Sequence, residues 1–422
     1  MRSGWLHRSV REIPYARIHN VNLHQSLLHR LFGVAEVRLE SAGGAKPEAQ
    51  MRVLRLDQAE ALEALVRRGQ GPSQAASAED PVVPPLLTLP NRELVRLGLV
   101  SNRGMLVVLA AAGGLAQAGD NLLRVVVEHW GRLAMGWASG LVGRHVHDGP
   151  LAIGIAAASL LLAALLALRL LSVAMAFLQY YGFTLREDDA RISVERGLLA
   201  RSRSSARRSR VQTWSLHEGV LHRALHRRSL RVRTAAGQRG ADEQQRALKE
   251  LAPIATPQRC DALIAHFLPG RGWDALDWQP LHRHAWLRMA LPSVLLLCIA
   301  AIPVCWRFGA VGACALLLLP LLLWRARRMA ACAGWACNGR LVAWRHGWWD
   351  KAWNFAELGK VQAWRFSQSP LERRLGMASL LLDTAGASPF GAPLHLRHLP
   401  QEVARALSAR LGTELAHRRL QW

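Results

Sequence analysis

Apolar residues in this chain occur in two patterns. In the first they run together. Residues 151–168 form eighteen positions without a charge, and after Arg169 the stretch LLSVAMAFL continues the run. Residues 286–306 and 308–324 form two more apolar runs, separated by Arg307 alone and carrying tryptophans near their ends. Residues 97–118 form a weaker run, interrupted at Ser101-Asn102-Arg103 and diluted by Gly113 and Gly114. About twenty apolar residues in a helix cross the hydrocarbon core of a bilayer. The pattern therefore predicts membrane hairpins over residues 92–178 and 284–325, the second with a very short turn at Arg307 and aromatic residues at its interfaces. Between the first two runs, residues 121–148 mix VVVEHW with GRLAMGWASGLV and read as an interfacial amphipathic helix.

In the second pattern apolar and polar residues alternate, and this pattern repeats. Residues 13–43 read IPYARIHNVNLHQSLLHRLFGVAEVRLESAG. Without a gap they align with 206–236, ARRSRVQTWSLHEGVLHRALHRRSLRVRTAA, and with 356–386, AELGKVQAWRFSQSPLERRLGMASLLLDTAG. Arg17-Ile18 answers to Arg210-Val211 and Lys360-Val361, and Val21 to Trp214 and Trp364. Gln25-Ser26-x-Leu28-x-Arg30 answers to Glu218-Gly219-x-Leu221-x-Arg223 and to Gln368-Ser369-x-Leu371-x-Arg373. Gly33 and Gly376 match, with His226 at the same place, and Gly4, Gly197 and Gly347 precede the copies at one offset. The period is too long for a solenoid, so each copy is expected to be a small domain.

Within a copy the sequence reads strand, compact turn, strand. Val37, Leu39 and Ser41 alternate with Glu36, Arg38 and Glu40, the period of two of a half-buried strand. A helix closes each copy, starting near Leu56-Asp57-Gln58, Thr256-Pro257-Gln258 and Leu399-Pro400-Gln401. Asp57 and Thr256 are expected as N-caps, and the prolines in the first helical turns. Each copy thus predicts a small barrel-like α+β unit. Copies two and three have further strand-like sequence upstream, whereas the first has only Met1, Arg2 and Ser3 before its glycine. The first domain is expected to be truncated at its start.

The order of glycine, strand, R/K-I/V-x-x-V/W, Q-S-x-L-x-R-x-x-G, strand and T/S-A-G resembles the bacterial PH-like domain of multipass membrane proteins of the YdbS/YdbT type. Arg17, Gln25, Ser26, Gly33, Lys360, Gln368, Ser369 and Gly376 carry the resemblance, and His226 departs from it. The family implies split β-barrels, each closed by a C-terminal helix and alternating with membrane hairpins, without catalytic activity. On that pattern the domains are residues 1–69, 179–270 and 330–417, with 70–91 as a Gly/Pro/Ser/Ala linker.

Charge sharpens the picture. The 54 basic and 30 acidic residues give a net charge of +24. Basic residues flank the domain-facing ends of both hairpins: Arg92, Arg96 and Arg103 at the first, Arg283, Arg288, Arg325, Arg327 and Arg328 at the second. The positive-inside rule then puts all three domains on the cytoplasmic side of a bacterial inner membrane. Arg201, Arg203, Arg207, Arg208, Arg210, Arg223, Arg227 and Arg228 crowd into the second copy. They are the candidate contacts for anionic lipid headgroups or an acidic partner, with a merely solvated basic face as the competing reading. Trp214 is the one aromatic residue among them, which disfavours nucleic acid, whose single-strand binders interleave several.

Chemistry-bearing motifs are sparse. No phosphate-binding glycine loop, HExxH or GxSxG occurs, and the six cysteines show no CxxC spacing. His145, His147 and Asp148 form a weak metal-binding pattern, and His282 and His284 read as interfacial. No cofactor or metal is expected. The sequence points to a non-enzymatic membrane scaffold whose partners are anionic lipids and either a smaller PH-like membrane protein or another copy of itself. A transporter or channel with Arg169 and Asp120 along its path is the alternative.

Overall fold

The computed structural model describes residues 2–3, 9–10, 18–41, 49–68, 84–117, 132, 136, 139–140, 150–188, 190–234, 248–309, 316–384 and 394–416. The chain divides into two compact units. One comprises Met1–Leu87, Leu185–Glu195 and Ser202–Trp422, the other Thr88–Thr184 and Arg196–Arg201.

Each repeat supplies three closing strands. They are β3 (Ile18–Gln25), β4 (Val34–Ser41) and β5 (Ala49–Arg55) in the first copy. In the second they are β10 (Val211–Glu218), β11 (Arg228–Thr234) and β12 (Glu250–Ala255), and in the third β17 (Val361–Ser367), β18 (Met377–Thr384) and β19 (Leu394–Pro400). Before the second set come β7 (Thr184–Asp188), β8 (Arg191–Arg196) and β9 (Arg201–Arg207); before the third come β14 (Gly334–Cys337), β15 (Leu341–His346) and β16 (Lys351–Glu357). Two short strands, β6 (Leu87–Thr88) and β13 (Gln279–Pro280), lie at sheet margins, and β1 (Arg2–Ser3) pairs only with β2 (Ser9–Val10) among the described residues.

The hydrogen-bonded ladders do not respect the repeats. One seven-stranded sheet runs β5-β4-β3-β9-β8-β7-β6, and a second runs β12-β11-β10-β16-β15-β14-β13. The closing strands of one copy thus continue into the opening strands of the next. Closing strands of the third copy stand as a three-stranded sheet, β17-β18-β19. This adds to the expectation of self-contained domains. The β10 and β16 edges would otherwise present unpaired N–H and C=O groups, and pairing them removes that liability. Two hydrophobic clusters, in contrast, lie within a copy, the first and the third. Val342, Trp344 and Ala356 from β15 and β16 pack with Leu380, Leu382, Leu394 and Leu396 from β18 and β19. Leu407 and Leu411 of the closing helix α11 (Gln401–Ala416) complete that core.

The tight turn between the first two closing strands has one geometry in all three copies. It holds short helices α1 (Leu27–Leu31), α6 (Val220–Ala224) and α10 (Pro370–Arg374). Ser26 and Ser369 each cap their helix through a reciprocal capping box, with His29 and Glu372 as third-position partners. A left-handed residue then ends the turn: Gly33 at φ 63° and Gly376 at φ 70°. His226, whose departure from glycine raised a question about this turn, adopts φ 51° and keeps the same path. A side chain with a Cβ carries a steric cost there that glycine does not.

The helices that close the copies are α2 (Leu56–Arg68), α7 (Pro257–Phe267) and α11. Thr256 caps α7 as expected, accepting from Arg259 N at 3.3 Å, with Pro257 in the first turn. Two details differ from expectation. Asp57 lies inside the first turn of α2, since the helix already begins at Leu56. Pro400 ends β19, because a residue without an N–H suits a strand terminus, and α11 starts one residue later.

The smaller unit is helical. α3 (Asn91–Val100) and α4 (Arg103–Gln117) are bent by 56° at the polar break visible in the sequence. Both lie along α5 (Pro150–Tyr180), where Ser172 Oγ accepts from Gly104 N at 2.9 Å. Arg169 of α5 donates to Leu99 O, Ser101 O and Asn102 Oδ1 at 3.2–3.3 Å, satisfying carbonyls that the bend leaves without helical partners. In the larger unit, α8 (Ala285–Phe308) and α9 (Leu319–Cys332) form the second helix pair. Arg307 is not a turn. It occupies the last turn of α8, and Gly309 at φ 60° ends the helix, because one residue is too short to reverse a helix. Among the described residues two stretches, Ala157–Tyr180 and Ala285–Arg307, are long and apolar enough to cross a membrane, and a third if the bent pair counts as one span. Their outward leucines and isoleucines are exposed, as a lipid-facing surface requires. The predicted interfacial segment at 121–148, the linker's core and His145, His147 and Asp148 lie outside the described residues apart from isolated positions.

His226→Gly is expected to raise stability by about 1 kcal/mol. Gly376→Ala is expected to lower it by a similar amount, since a Cβ there meets no atom within 4 Å and only the backbone cost remains. Thermal unfolding of the detergent-solubilised variants reads both. Arg169→Leu is expected to destabilise the helical unit by about 1–3 kcal/mol through its orphaned carbonyls. Hydrogen exchange localised to residues 91–104 checks this.

Candidate functional site

The signature residues of the repeat act inside the fold. Gln25 Nε2 donates to Val34 O at 3.2 Å, and Gln368 Nε2 donates to Met377 O at 2.8 Å, each tying the turn to the following strand. Lys360 Nζ donates to Ser209 O in the copy before it. Burial holds the Lys360 ammonium below its ordinary range. Arg17 lies outside the described residues.

The arginine-rich second copy does not present one uniform basic plane. Arg201 is exposed, and the other seven are half-buried. Arg203 stands 3.6 Å from the buried Glu63, and Arg208 is 3.5 Å from Glu187. Arg228 pairs with Glu218 at 2.6 Å, reaches Asp261 at 3.9 Å and lies over the Trp353 ring at 5.0 Å. Arg223 Nη2 donates to Trp349 O at 2.7 Å, and Arg227 donates to Leu225 O and His226 O. Burial, then the neighbouring Arg207 charge, lower the pKa of Arg210. Within the run Glu218 is the only acid in sequence, but folding brings Glu63, Glu187 and Asp261 to it from elsewhere. Such half-exposed pairs are worth about 0–1 kcal/mol each, so they orient side chains more than they stabilise the fold.

The structure assembles a different basic site in the third copy. A cleft of about 630 Å³ lies between the ends of α8 and α9 and the mouth of the third barrel. Arg288 reaches it from the first turns of α8, His346 from β15, Glu372 from α10, and His395, Arg397 and His398 from β19. Met289, Pro292 and Met329 give it an apolar wall on the helix side. At its floor, Ser379 Oγ donates to Glu372 Oε1 at 3.1 Å, and His398 Nδ1 meets the same oxygen at 3.0 Å. The other carboxylate oxygen accepts from Ser369 N at 2.8 Å. Glu372 is therefore saturated. Although burial works against its charge, the hydrogen bonds from Ser369 and Ser379 and the nearby His398 hold its carboxyl below the usual range. His398 itself sits at φ 58°, a strained backbone for a histidine.

The basic groups around this floor are less satisfied. Arg288 Nε and His346 Nδ1 are buried and make no hydrogen bond. Burial, and then the charge of Arg397, push His395 down to about 4 and also lower His346. Burial likewise lowers His398, against the pull of Glu372. The arrangement is a pocket short of negative charge. Among the described residues no group of three or more His, Cys, Asp or Glu is placed to hold a metal ion.

Sequence reading did not find this pocket. Its residues are spread over more than a hundred positions and eight elements, and the one local signal was Ser369-x-x-Glu372, which marks a capping box equally well.

Three segments of the chain, residues 1–70, 140–266 and 290–414, match the family model described as Bacterial PH domain. The chain is 20% identical over 402 residues to a Bacillus subtilis (strain 168) protein described as UPF0699 transmembrane protein YdbT, covering 93% of this chain and 79% of that protein. No solved structure matches.

Acid is expected to weaken the third copy. His395 has a folded pKa near 4, against 6.5 unperturbed, so between those values the unfolded chain binds the extra proton. Its contribution is fully present above pH 6.5 and is lost as pH falls through about 4. The limiting slope is about 1.4 kcal/mol per pH unit for one such group. His346 and His398 shift in the same direction. Denaturant midpoints measured from pH 7.5 to 4.5 are expected to fall, and His395→Asn is expected to flatten the slope.

Proposed function

The chain belongs to the bacterial PH domain family, and from that membership we propose that it is a non-enzymatic membrane scaffold whose PH-like domains hold anionic lipid headgroups and a protein partner. The observation that carries the lipid part is the cleft of the third copy. Arg288, Arg397 and three histidines face it, two buried nitrogens there have no hydrogen bond, and its apolar wall is the end of an apolar helix pair. A phosphate group satisfies those nitrogens while its acyl chains follow α8 and α9. Phosphatidylglycerol-type headgroups have the required charge, and each basic residue near such a surface contributes about 1 kcal/mol. The eight arginines of the second copy play a lesser part in this reading, because several already have carboxylate partners.

Orientation follows the charge pattern: arginines flank the domain-side ends of the helices, which favours the cytoplasmic face of a bacterial inner membrane. The bonds of Arg169 Nη1 to Leu99, Ser101 and Asn102 favour a structural role for this residue over the transport alternative.

In nanodiscs, replacing part of the phosphatidylcholine by phosphatidylglycerol is expected to raise the melting temperature, equivalent to about 2 kcal/mol for the two arginines. The gain is expected to shrink with salt and to vanish in Arg288→Ala/Arg397→Ala. Equal melting temperatures in both lipids would count against the headgroup reading.

A further inference from the structure

Two junctions inside this chain share one construction. At the better defined, β10 pairs antiparallel with β16, with Trp214 opposite Phe355, Ser215 opposite Asn354 and Leu216 opposite Trp353. At the other, β3 lies beside β9, and Ser205 Oγ donates to Val21 O at 3.3 Å. Under the gapless repeat alignment Val21 answers to Trp214 and Ser205 to Phe355, so the contact at the second junction joins the counterparts of a facing pair at the first. The first strand of each closing half accepts the last strand of the next opening half.

β17 is the third strand of that kind. Its residues Trp364, Arg365 and Phe366 answer to Trp214, Ser215 and Leu216. Among the described residues β17 pairs with β18 alone. Its core is correspondingly unfinished. Trp214 and Leu216 are 2% and 1% exposed, whereas Trp364 and Phe366 are half-buried although they pack on the core of their copy. Gln362, Ala363 and Arg365 are exposed. A seven-residue edge with two large apolar side chains is a template for another strand.

We infer that the β17 edge accepts the last opening strand of a PH-like domain on a different protein chain, continuing the third sheet as β16 continues the second. The occupant is identified by side-chain complementarity. It places apolar residues opposite Trp364 and Phe366, as Phe355 and Trp353 do at β10. Opposite Arg365 it places an acidic or amide residue, where the internal junction has Asn354. A second copy of this chain fits poorly. Among the described residues the opening strand that no junction takes up is β2, and the repeat alignment of its segment puts Arg11 opposite Arg365 and Glu12 opposite Trp364. Like charges directly across an antiparallel pair are destabilising. This inference names the protein partner of the scaffold reading and rests on that reading.

A photoreactive benzoylphenylalanine placed at Arg365 of the full-length protein in native membranes tests it, with the same residue placed at Ser215 as the internal reference. The expected result is an adduct to a different chain, mapped by mass spectrometry to the strand that follows the glycine turn of a PH-like domain. Arg365→Asp, a change at an exposed position, is expected to reduce recovery of that chain with the solubilised protein at least tenfold. Adducts to lipid alone, to another copy of this chain, or to a protein without such a strand overturn the inference, as does the absence of any adduct. If Ser215 still crosslinks to β16 in those cases, the shared-sheet scaffold stands and only the partner assignment falls. Loss of the Ser215 adduct as well would remove the scaffold reading itself.

Discussion

The ladder between β10 and β16 is the constraint on which the larger unit depends. It joins the closing strands of one repeat to the opening strands of the next, and its centre is aromatic. The Trp214 and Phe355 rings stack at 6.3 Å and 10°, Phe267 of the closing helix lies 5.8 Å from Trp214, and Trp273 lies 4.3 Å from Phe355. Removing a buried tryptophan or phenylalanine costs about 3–5 kcal/mol, whereas each half-exposed arginine pair nearby contributes at most about 1. The junction is held by apolar burial and backbone hydrogen bonds, and the abundant arginines decorate it. Repeats linked this way cannot turn freely about a linker, because any rotation would break the ladder.

The same economy explains where basic charge matters. In the second copy the arginines find carboxylates brought from distant segments, so much of the local field is neutralised. In the third copy the one carboxylate in the cleft is saturated by Ser369, Ser379 and His398, leaving Arg288 and His346 with buried nitrogens that make no hydrogen bond. A buried polar group without a partner costs about 1–3 kcal/mol, so these two nitrogens place an unmet demand for hydrogen bonds in the cleft. The density of arginine in the sequence and the shortage of negative charge in the fold are thus found in different places.

Much of this molecule was legible in its sequence. The threefold repeat, the polar break between α3 and α4, the apolar stretches and the turn with its capping boxes all rest on interactions within a few residues or on hydropathy along one helix. Those interactions are encoded where they act. Even the turn at His226 belongs here, since local backbone hydrogen bonds and strand pairing determine its path and the histidine tolerates it.

What the tertiary structure decided was which edge meets which. Backbone N–H and C=O groups are the same in every strand, so nothing in β10 or β3 marks it as joining the next repeat rather than closing on its own. The outcome emerges only when the ring of Phe355 reaches that of Trp214 across the edge. The cleft is of the same kind: six side chains from four elements converge because two sheets and a helix pair meet there, and no spacing along the chain records that meeting. Local periodicity determined the elements, and the long-range pairing of chemically equivalent edges decided their assembly.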